Sequence, residues 1–209
     1  MASKDLSWKY VEDQTVEPDV IRAARAQSLE LGVEAVSAAT GAQLAVIAAA
    51  LTVETIIEIG TGIGVSGLWL LQGAPDAHLT SIDVEVDYHD AARRHFTDAE
   101  HAATRVRLIT GRAADVLPRM NEGSYDLVLV DADARSITEY VEHALRLVRA
   151  GGCVLVPHAL WRDTVPDPAK REGVTAELRV LLAELSRSSA VHVAISPVGD
   201  GLLQVVTAR

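Results

Sequence analysis

The residues most able to do chemistry sit in one short segment, Glu58-Ile59-Gly60-Thr61-Gly62-Ile63-Gly64-Val65-Ser66. Glycines at this spacing let the backbone take positive φ and come close to a ligand. A helix opening directly afterwards, GLWLLQG, would offer free amides to an anion. Ligand-type residues then recur at the ends of later β-branched runs: Asp83 closes LTSID, Ala113 and Asp115 lie in GRAAD, and Asp131 and Asp133 lie in VDADA. In an open α/β sheet such strand ends line one crevice. An acid like Asp83 can accept two hydrogen bonds from a ribose diol. The chemistry indicated is therefore a nucleoside held by its sugar, with an anionic group on the glycine loop.

Two cofactors match that description. Gly62-x-Gly64-x-x-Gly67, with Asp83 about 20 residues on, reads as a dinucleotide fingerprint and an NAD-dependent dehydrogenase. That frame lies two residues inside the helix, because the turn begins at Gly60. Counted from Gly60, the third glycine position holds Val65, which hinders close packing on a pyrophosphate. The other frame starts at Glu58. It receives the amino-acid end of S-adenosylmethionine, whose carboxylate is the anion, with Ser66 donating to it. Each residue also has a plainer reading. A carboxylate inside a buried strand, as at Glu58, costs several kcal/mol unless partnered, so Glu58 either binds ligand or is bridged for structure. Asp83, Asp131 and Asp133 also suit helix caps.

The elements that must position these groups follow from periodicity. Residues 18–31 read as a helix opened by Pro18 and stopped by Gly32. A second, alanine-rich helix spans 40–51 with Thr40 as its N-cap. The first 16 or so residues show no periodicity and read as a tail or dimer arm. Short apolar runs at 55–60, 78–84, 106–111, 125–132 and 152–158 alternate with helical stretches such as 136–148. That pattern means βαβ units and a parallel sheet covered on both faces. Runs at 191–198 and 201–209, joined by Gly199-Asp200, read as a tight closing hairpin, so the last strand is antiparallel. The fold class is α/β, doubly wound, with a helical N-terminal extension. Residues 1–209 form one domain, with tail and helices over 1–53 and the binding core over 54–209.

Composition sets the limits. The chain has 209 residues, 49% of them hydrophobic and 23% charged, which is globular. A net charge of −10 argues against nucleic acid as a partner. No apolar run reaches the ~20 residues of a membrane span, and the first residues carry no signal-peptide core. The single cysteine, Cys153, excludes an internal disulfide framework and reads as a small buried hydrophobe. A cytoplasmic location is expected.

Nearly the whole chain resembles the catechol/caffeoyl-CoA type of S-adenosylmethionine-dependent O-methyltransferase, especially small bacterial members. The resemblance rests jointly on YVED, AARAQSLELGVEAVSAATGAQL, EIGTGIGVSGLWL, LTSID, RVRLITGRAADVLPRM, YDLVLVDADA, LRLVRAGG, ALWRDTVPDP and PVGDGLLQVV. It implies the seven-stranded methyltransferase sheet and a homodimer. Its cofactor contacts fall on Val36, Glu58, Gly60, Thr61, Gly62, Gly64, Ser66, Asp83, Val84, Ala113, Asp131 and Asp133, and its acceptor side on Asp131 and Trp161.

The chain also departs from that family. The usual lysine after Asp-Ala-Asp is Ala134, and the usual Asp-Asn closing the fifth strand is Pro157-His158. Of three protein ligands for a divalent metal only Asp131 remains, too few for the oxygen octahedron Mg²⁺ demands. The expectation is a metal-free site: His158, neutral near pH 7, takes the proton of an acceptor hydroxyl beside Asp131. The alternative expectation is a degenerate member that binds S-adenosylmethionine but serves as a regulatory or partner-binding protein. His143 reads as structural, and Arg162, Asp163 and Lys170 as a solvated loop.

Overall fold

The structure is a computed structural model that describes residues 2–209, with side chains from position 6 onward; Met1 lies outside it. Three helices come first: α1 (Ala2–Gln14), α2 (Asp19–Glu30) and α3 (Ala38–Ala50). Strands and helices then alternate through β1 (Thr55–Ile59), α4 (Val65–Gly73), β2 (His78–Asp83), α5 (Val86–Asp98), β3 (Val106–Thr110), α6 (Ala113–Val116), β4 (Tyr125–Val130), α7 (Ile137–Leu147) and β5 (Val148–Val156). The chain closes with α8 (Val174–Arg187), β6 (Val191–Ser196) and β7 (Leu202–Thr207). One 7-stranded sheet runs in the order β3-β2-β1-β4-β5-β7-β6. β1 to β5 pair in parallel, and β7 runs antiparallel to both β5 and β6.

The near-continuous apolar strands explain this arrangement. Alternate side chains of a strand point to opposite faces, so a strand covered on both sides must be apolar throughout. On one face Ile56, Leu127, Leu129 and Leu155 are buried with Leu44, Trp69 and Phe96 of α3, α4 and α5. On the other, Ile57, Val128, Val130 and Val154 are buried with Val141 and Leu147 of α7 and Leu181 of α8. Each such side chain contributes about 1.5–3 kcal/mol on burial. Because β2 and β4 flank β1 on opposite sides, the chain reverses direction across the sheet there. That is the switch point, and the crevice lies beyond the carboxyl ends of β1 and β4. No helix among the described residues is long and apolar enough to cross a membrane.

Three local expectations are corrected. The N-terminal segment is helical, and Glu12 on α1 accepts hydrogen bonds from the Ser37 hydroxyl and the Ala39 amide (3.0 Å). Its periodicity was illegible because Leu6, Tyr10 and Val11 are largely exposed. The cap of α3 is Ser37, whose hydroxyl accepts from the Thr40 amide at 3.2 Å, so Thr40 is the capped residue. The β6–β7 connection is residues 197–201, closed by a Gly201 amide to Val198 carbonyl hydrogen bond of 3.0 Å, and is longer than a two-residue turn.

Candidate active site

Three loops at the switch point are hooked onto neighbouring strand ends. The Gly60 amide donates to the Ile82 carbonyl, the Asp131 amide to the Ile59 carbonyl and the Gly111 amide to the Asp83 carbonyl, each at 2.8 Å. Gly60 has φ +98°, and a Cβ there would lie 1.9 Å from the Asp131 carbonyl oxygen. Only glycine fits both constraints. The loop then enters α4 at Gly64, φ +91°, packed against Ala92 and Phe96.

Asp83 fixes this loop from the side. Its Oδ2 accepts from the Thr61 and Gly62 amides at 2.9 Å each, and its Oδ1 from the Glu85 amide at 3.1 Å. Two loop amides expected to face an anionic ligand are thus committed to Asp83. A carboxylate has about four acceptor positions, so Asp83 retains capacity for a sugar diol. It lines a cavity of about 220 Å³ together with Gly60, Thr61, Gly62, Val84, Ala113, Asp131 and Asp133.

Glu58 lies beneath that cavity, fully buried on the α4 face of β1. Ser66 donates to its Oε1 and Ser81 to its Oε2, both at 2.6 Å. The Ser66 hydroxyl, expected to donate to a ligand carboxylate, here donates to Glu58. Burial pushes the Glu58 carboxyl up from 4.5 to about 7, against the two serine hydrogen bonds, with Asp131 and Asp83 adding to the rise. The raised value means that the fold binds this proton more tightly than the unfolded chain. Its contribution, on the order of 3 kcal/mol, is fully present below pH 4.5 and lost as pH rises through about 7. Glu58→Gln, which imitates the protonated form, is expected to flatten the fall of melting temperature between pH 5 and 8. A wild-type-minus-variant difference that stays constant with pH would contradict this assignment.

Two further cavities share wall residues with the first. One, about 270 Å³, is lined by Asp131, Asp133, Ile137, Pro157, His158, Trp161 and Leu178. The other, about 290 Å³, is lined by Trp8, Val36, His158 and Asp200. Glu34, from the α2–α3 loop, borders all three. Burial holds the Asp131 carboxyl above the usual carboxylate range; Glu34 adds to the rise and His158 opposes it. His158 Nε2 is 3.8 Å from Asp131 Oδ1, and Nδ1 is 3.5 Å from Asp200 Oδ2.

Sequence comparison identifies the family. The profile of a family described as O-methyltransferase matches residues 11–207. The chain belongs to the O-methyltransferase family. A Mycobacterium ulcerans relative, whose own O-methyltransferase name is provisional, is 39% identical over 198 residues, covering 94% of this chain and 88% of that one. A Corynebacterium glutamicum crystal structure superposes with a TM-score of 0.90 at 31% identity, covering 100% of this chain and 98% of that one. A Streptomyces achromogenes O-methyltransferase of tomaymycin synthesis, crystallised with S-adenosylmethionine, gives 0.84 at 28% identity, covering 94% and 92%. The seven-stranded sheet with its antiparallel last strand is thus that of O-methyltransferases, and the dehydrogenase frame on Gly62 is set aside. Gly67, its third glycine, packs against Phe96 and Glu58 inside the protein.

Set against the family pattern, the structure gathers most of the expected residues and displaces some. Gly60, Thr61, Gly62, Ser66, Asp83, Val84, Ala113, Asp131 and Asp133 border the first cavity. Glu58 supports it from below, and Gly64 turns the loop into α4. Val36 faces the Trp8 cavity, while Val33 and Ala35 reach the first. Asp133 also caps the short 3₁₀ turn Ala134–Ser136 through the Arg135 amide (3.2 Å). Arg162, in the loop expected to be solvated, is 69% exposed; it pairs with Glu34 at 2.9 Å and lies 5.7 Å from the Trp161 ring centroid. Glu34, Tyr88 and Asp200 also line these cavities and were not singled out in the sequence. Tyr88 lies in the first turn of α5, five residues after Asp83; Glu34 and Asp200 lie in loops without periodicity.

The family's divalent metal does not fit this donor set. Pro157 offers no side-chain ligand, and Ala134 offers none either. Among the described residues no group of three or more His, Cys, Asp or Glu side chains is arranged to hold a metal ion.

Proposed function

We propose that this chain transfers a methyl group from S-adenosylmethionine to the hydroxyl of a small acceptor, phenols included, without a divalent metal. The observation that carries the reading is the meeting of two cavities at Asp131, one under the glycine loop and one beside His158 and Trp161. The donor, when bound, supplies a methyl on a positively charged sulfur. Asp83 would clasp its ribose. Gly60, Thr61 and Gly62 would let it approach the backbone, and Ala113 would border its adenine. Asp131 and Asp133 would face the sulfonium and amino group, where carboxylates favour positive charge. Trp161 gives the acceptor a flat apolar wall. His158 takes the hydroxyl proton as the oxygen attacks the methyl, and in-line positioning supplies much of the remaining acceleration.

In this reading residues 1–209 act as one methyltransferase domain in the cytoplasm. The exposed Leu6, Tyr10 and Val11 of α1 support a homodimer, which light scattering across a concentration series reads directly.

Isothermal calorimetry with S-adenosylmethionine and S-adenosylhomocysteine tests the cofactor half. Both should bind, and Asp83→Ala should weaken both by about 10–100-fold, the loss of a charged hydrogen-bonding partner. No heat with either ligand would end the reading. Methylation of a hydroxylated-aromatic panel in excess EDTA tests the other half. Turnover that persists in EDTA supports metal-free transfer, whereas turnover restored only by added Mg²⁺ removes it.

A further inference from the structure

The β6–β7 hairpin carries an acid that the reading above leaves unused. Its connection, residues 197–201, folds over the loop that follows β5 and grips it. The Ala159 amide donates to the Gly201 carbonyl at 3.0 Å and the Leu160 amide to the Asp200 carbonyl at 2.9 Å. The Arg162 amide lies within hydrogen-bond distance of both Asp200 carboxylate oxygens, 2.7 and 2.9 Å. The hairpin is itself wedged in place. A Cβ on Gly199 would sit 2.4 Å from Thr40 Oγ1, and one on Gly201 would sit 2.5 Å from the Leu160 side chain. Inside this grip His158 takes φ +58°, unfavourable for a residue with a Cβ and sustained only where the surroundings enforce it.

The two ring nitrogens of His158 meet different surroundings. Nε2 points to Asp131, which borders both the cofactor cavity and the Trp161 cavity. Nδ1 points to Asp200, which borders neither. A neutral imidazole has one donor nitrogen and one acceptor nitrogen, and the partner of one decides the role of the other. Carboxylate oxygens stand beside both nitrogens, 3.5 Å from Nδ1 and 3.8 Å from Nε2, and the nearer one, on Asp200, favours the proton on Nδ1.

We propose that Asp200 is a positioning residue: it keeps the N–H on Nδ1 of His158 and so leaves the Nε2 lone pair open to the acceptor hydroxyl. This rests on His158 being the base. In the step it serves, the hydroxyl proton passes to Nε2 while an oxygen lone pair forms the bond to the methyl carbon. The C–S pair returns to sulfur, the sulfonium becomes a thioether, and the imidazolium lies between Asp200 and Asp131. Its extra proton leaves to water after product release.

The test is ¹⁵N NMR of full-length, histidine-labelled protein loaded with S-adenosylhomocysteine, about two pH units above the ordinary imidazole value. His158→Gln identifies the His158 resonances. The wild-type ring should carry its proton on Nδ1. In Asp200→Asn the Arg162 amide claims the one remaining oxygen, so the NH₂ turns to the ring and donates to Nδ1. The tautomer ratio should then move roughly tenfold or more toward Nε2–H, the scale of one charged hydrogen bond. With an aromatic acceptor that the wild type methylates, kcat should fall about 10–100-fold by the same partner loss, with KM for S-adenosylmethionine within about twofold.

A wild-type ring protonated on Nε2, or a ratio unchanged in Asp200→Asn, overturns the proposal. Should that variant fail to fold by circular dichroism, the wild-type spectrum decides alone. Full turnover in His158→Gln removes the base and this proposal with it. Lost turnover in His158→Gln beside normal kcat in Asp200→Asn removes this proposal only.

Discussion

Replacing Gly60 with alanine is expected to weaken S-adenosylhomocysteine binding at least a hundredfold and to lower the melting temperature. Two effects act together. A residue with a Cβ at φ +98° is strained by about 1–3 kcal/mol. The new methyl would also sit 1.9 Å from the Asp131 carbonyl oxygen, so one of two backbones must move. If the glycine loop moves, the amides held by Asp83 move with it, and so does the cavity floor. If Asp131 moves, its amide leaves the Ile59 carbonyl and its carboxylate leaves the junction of the two cavities. Either response alters the cavity. Gly123→Ala is the matched control. Gly123 has φ +59° with nothing within 4 Å of where the alanine methyl would stand, so strain without collision results. That variant should lose about 1 kcal/mol of stability and keep its affinity. Calorimetry and thermal melts on the pair read the outcome; Gly60→Ala binding within a few-fold of wild type would contradict the geometry.

The second large effect belongs to His158. His158→Gln should lower kcat by about 10²–10⁴-fold, the range general-base catalysis contributes. S-adenosylhomocysteine affinity should stay within about twofold, because the ring borders the two outer cavities and not the one under the glycine loop. Glutamine keeps polar character and similar bulk but takes up no proton near neutrality. The loss should therefore appear in kcat rather than in cofactor binding, the mark of a group that acts in the transition state. EDTA should alter neither protein's rate. A variant that keeps its kcat, or a loss rescued by Mg²⁺, would place the chemistry elsewhere.

How much was legible beforehand depended on what each residue answers to. The sheet was readable because its strands are buried on both faces, and burial writes continuous apolar runs such as Ile56-Ile57 and Leu127-Val128-Leu129. Gly60, Asp83 and Asp131 were readable because a strand end followed by a helix is a local signal. Their partners were not. Nothing within a few residues of Asp83 says that it will accept from Thr61 and Gly62, more than 20 positions upstream. Glu58 announced itself as a buried charge, yet only register shows that Ser81 stands opposite it. Glu34 and Asp200 lie in loops, where neither periodicity nor turn chemistry predicts what a side chain faces. The α3 cap was misassigned among two hydroxyls three residues apart, a choice that the sequence leaves open and the entry angle of the helix decides.

The grip of the last hairpin on the His158 loop ties competence to the order of synthesis. Walls of the first cavity come from positions 28 to 140, so all of them have left the ribosome while β6 and β7 are still being made. The hairpin connection that grips the loop after His158, residues 197–201, is made later. A chain cut short after α8 would carry every residue that lines the first cavity and lack the hairpin that grips the His158 loop, so on the proposed reading translation itself decides the moment at which the base is aimed.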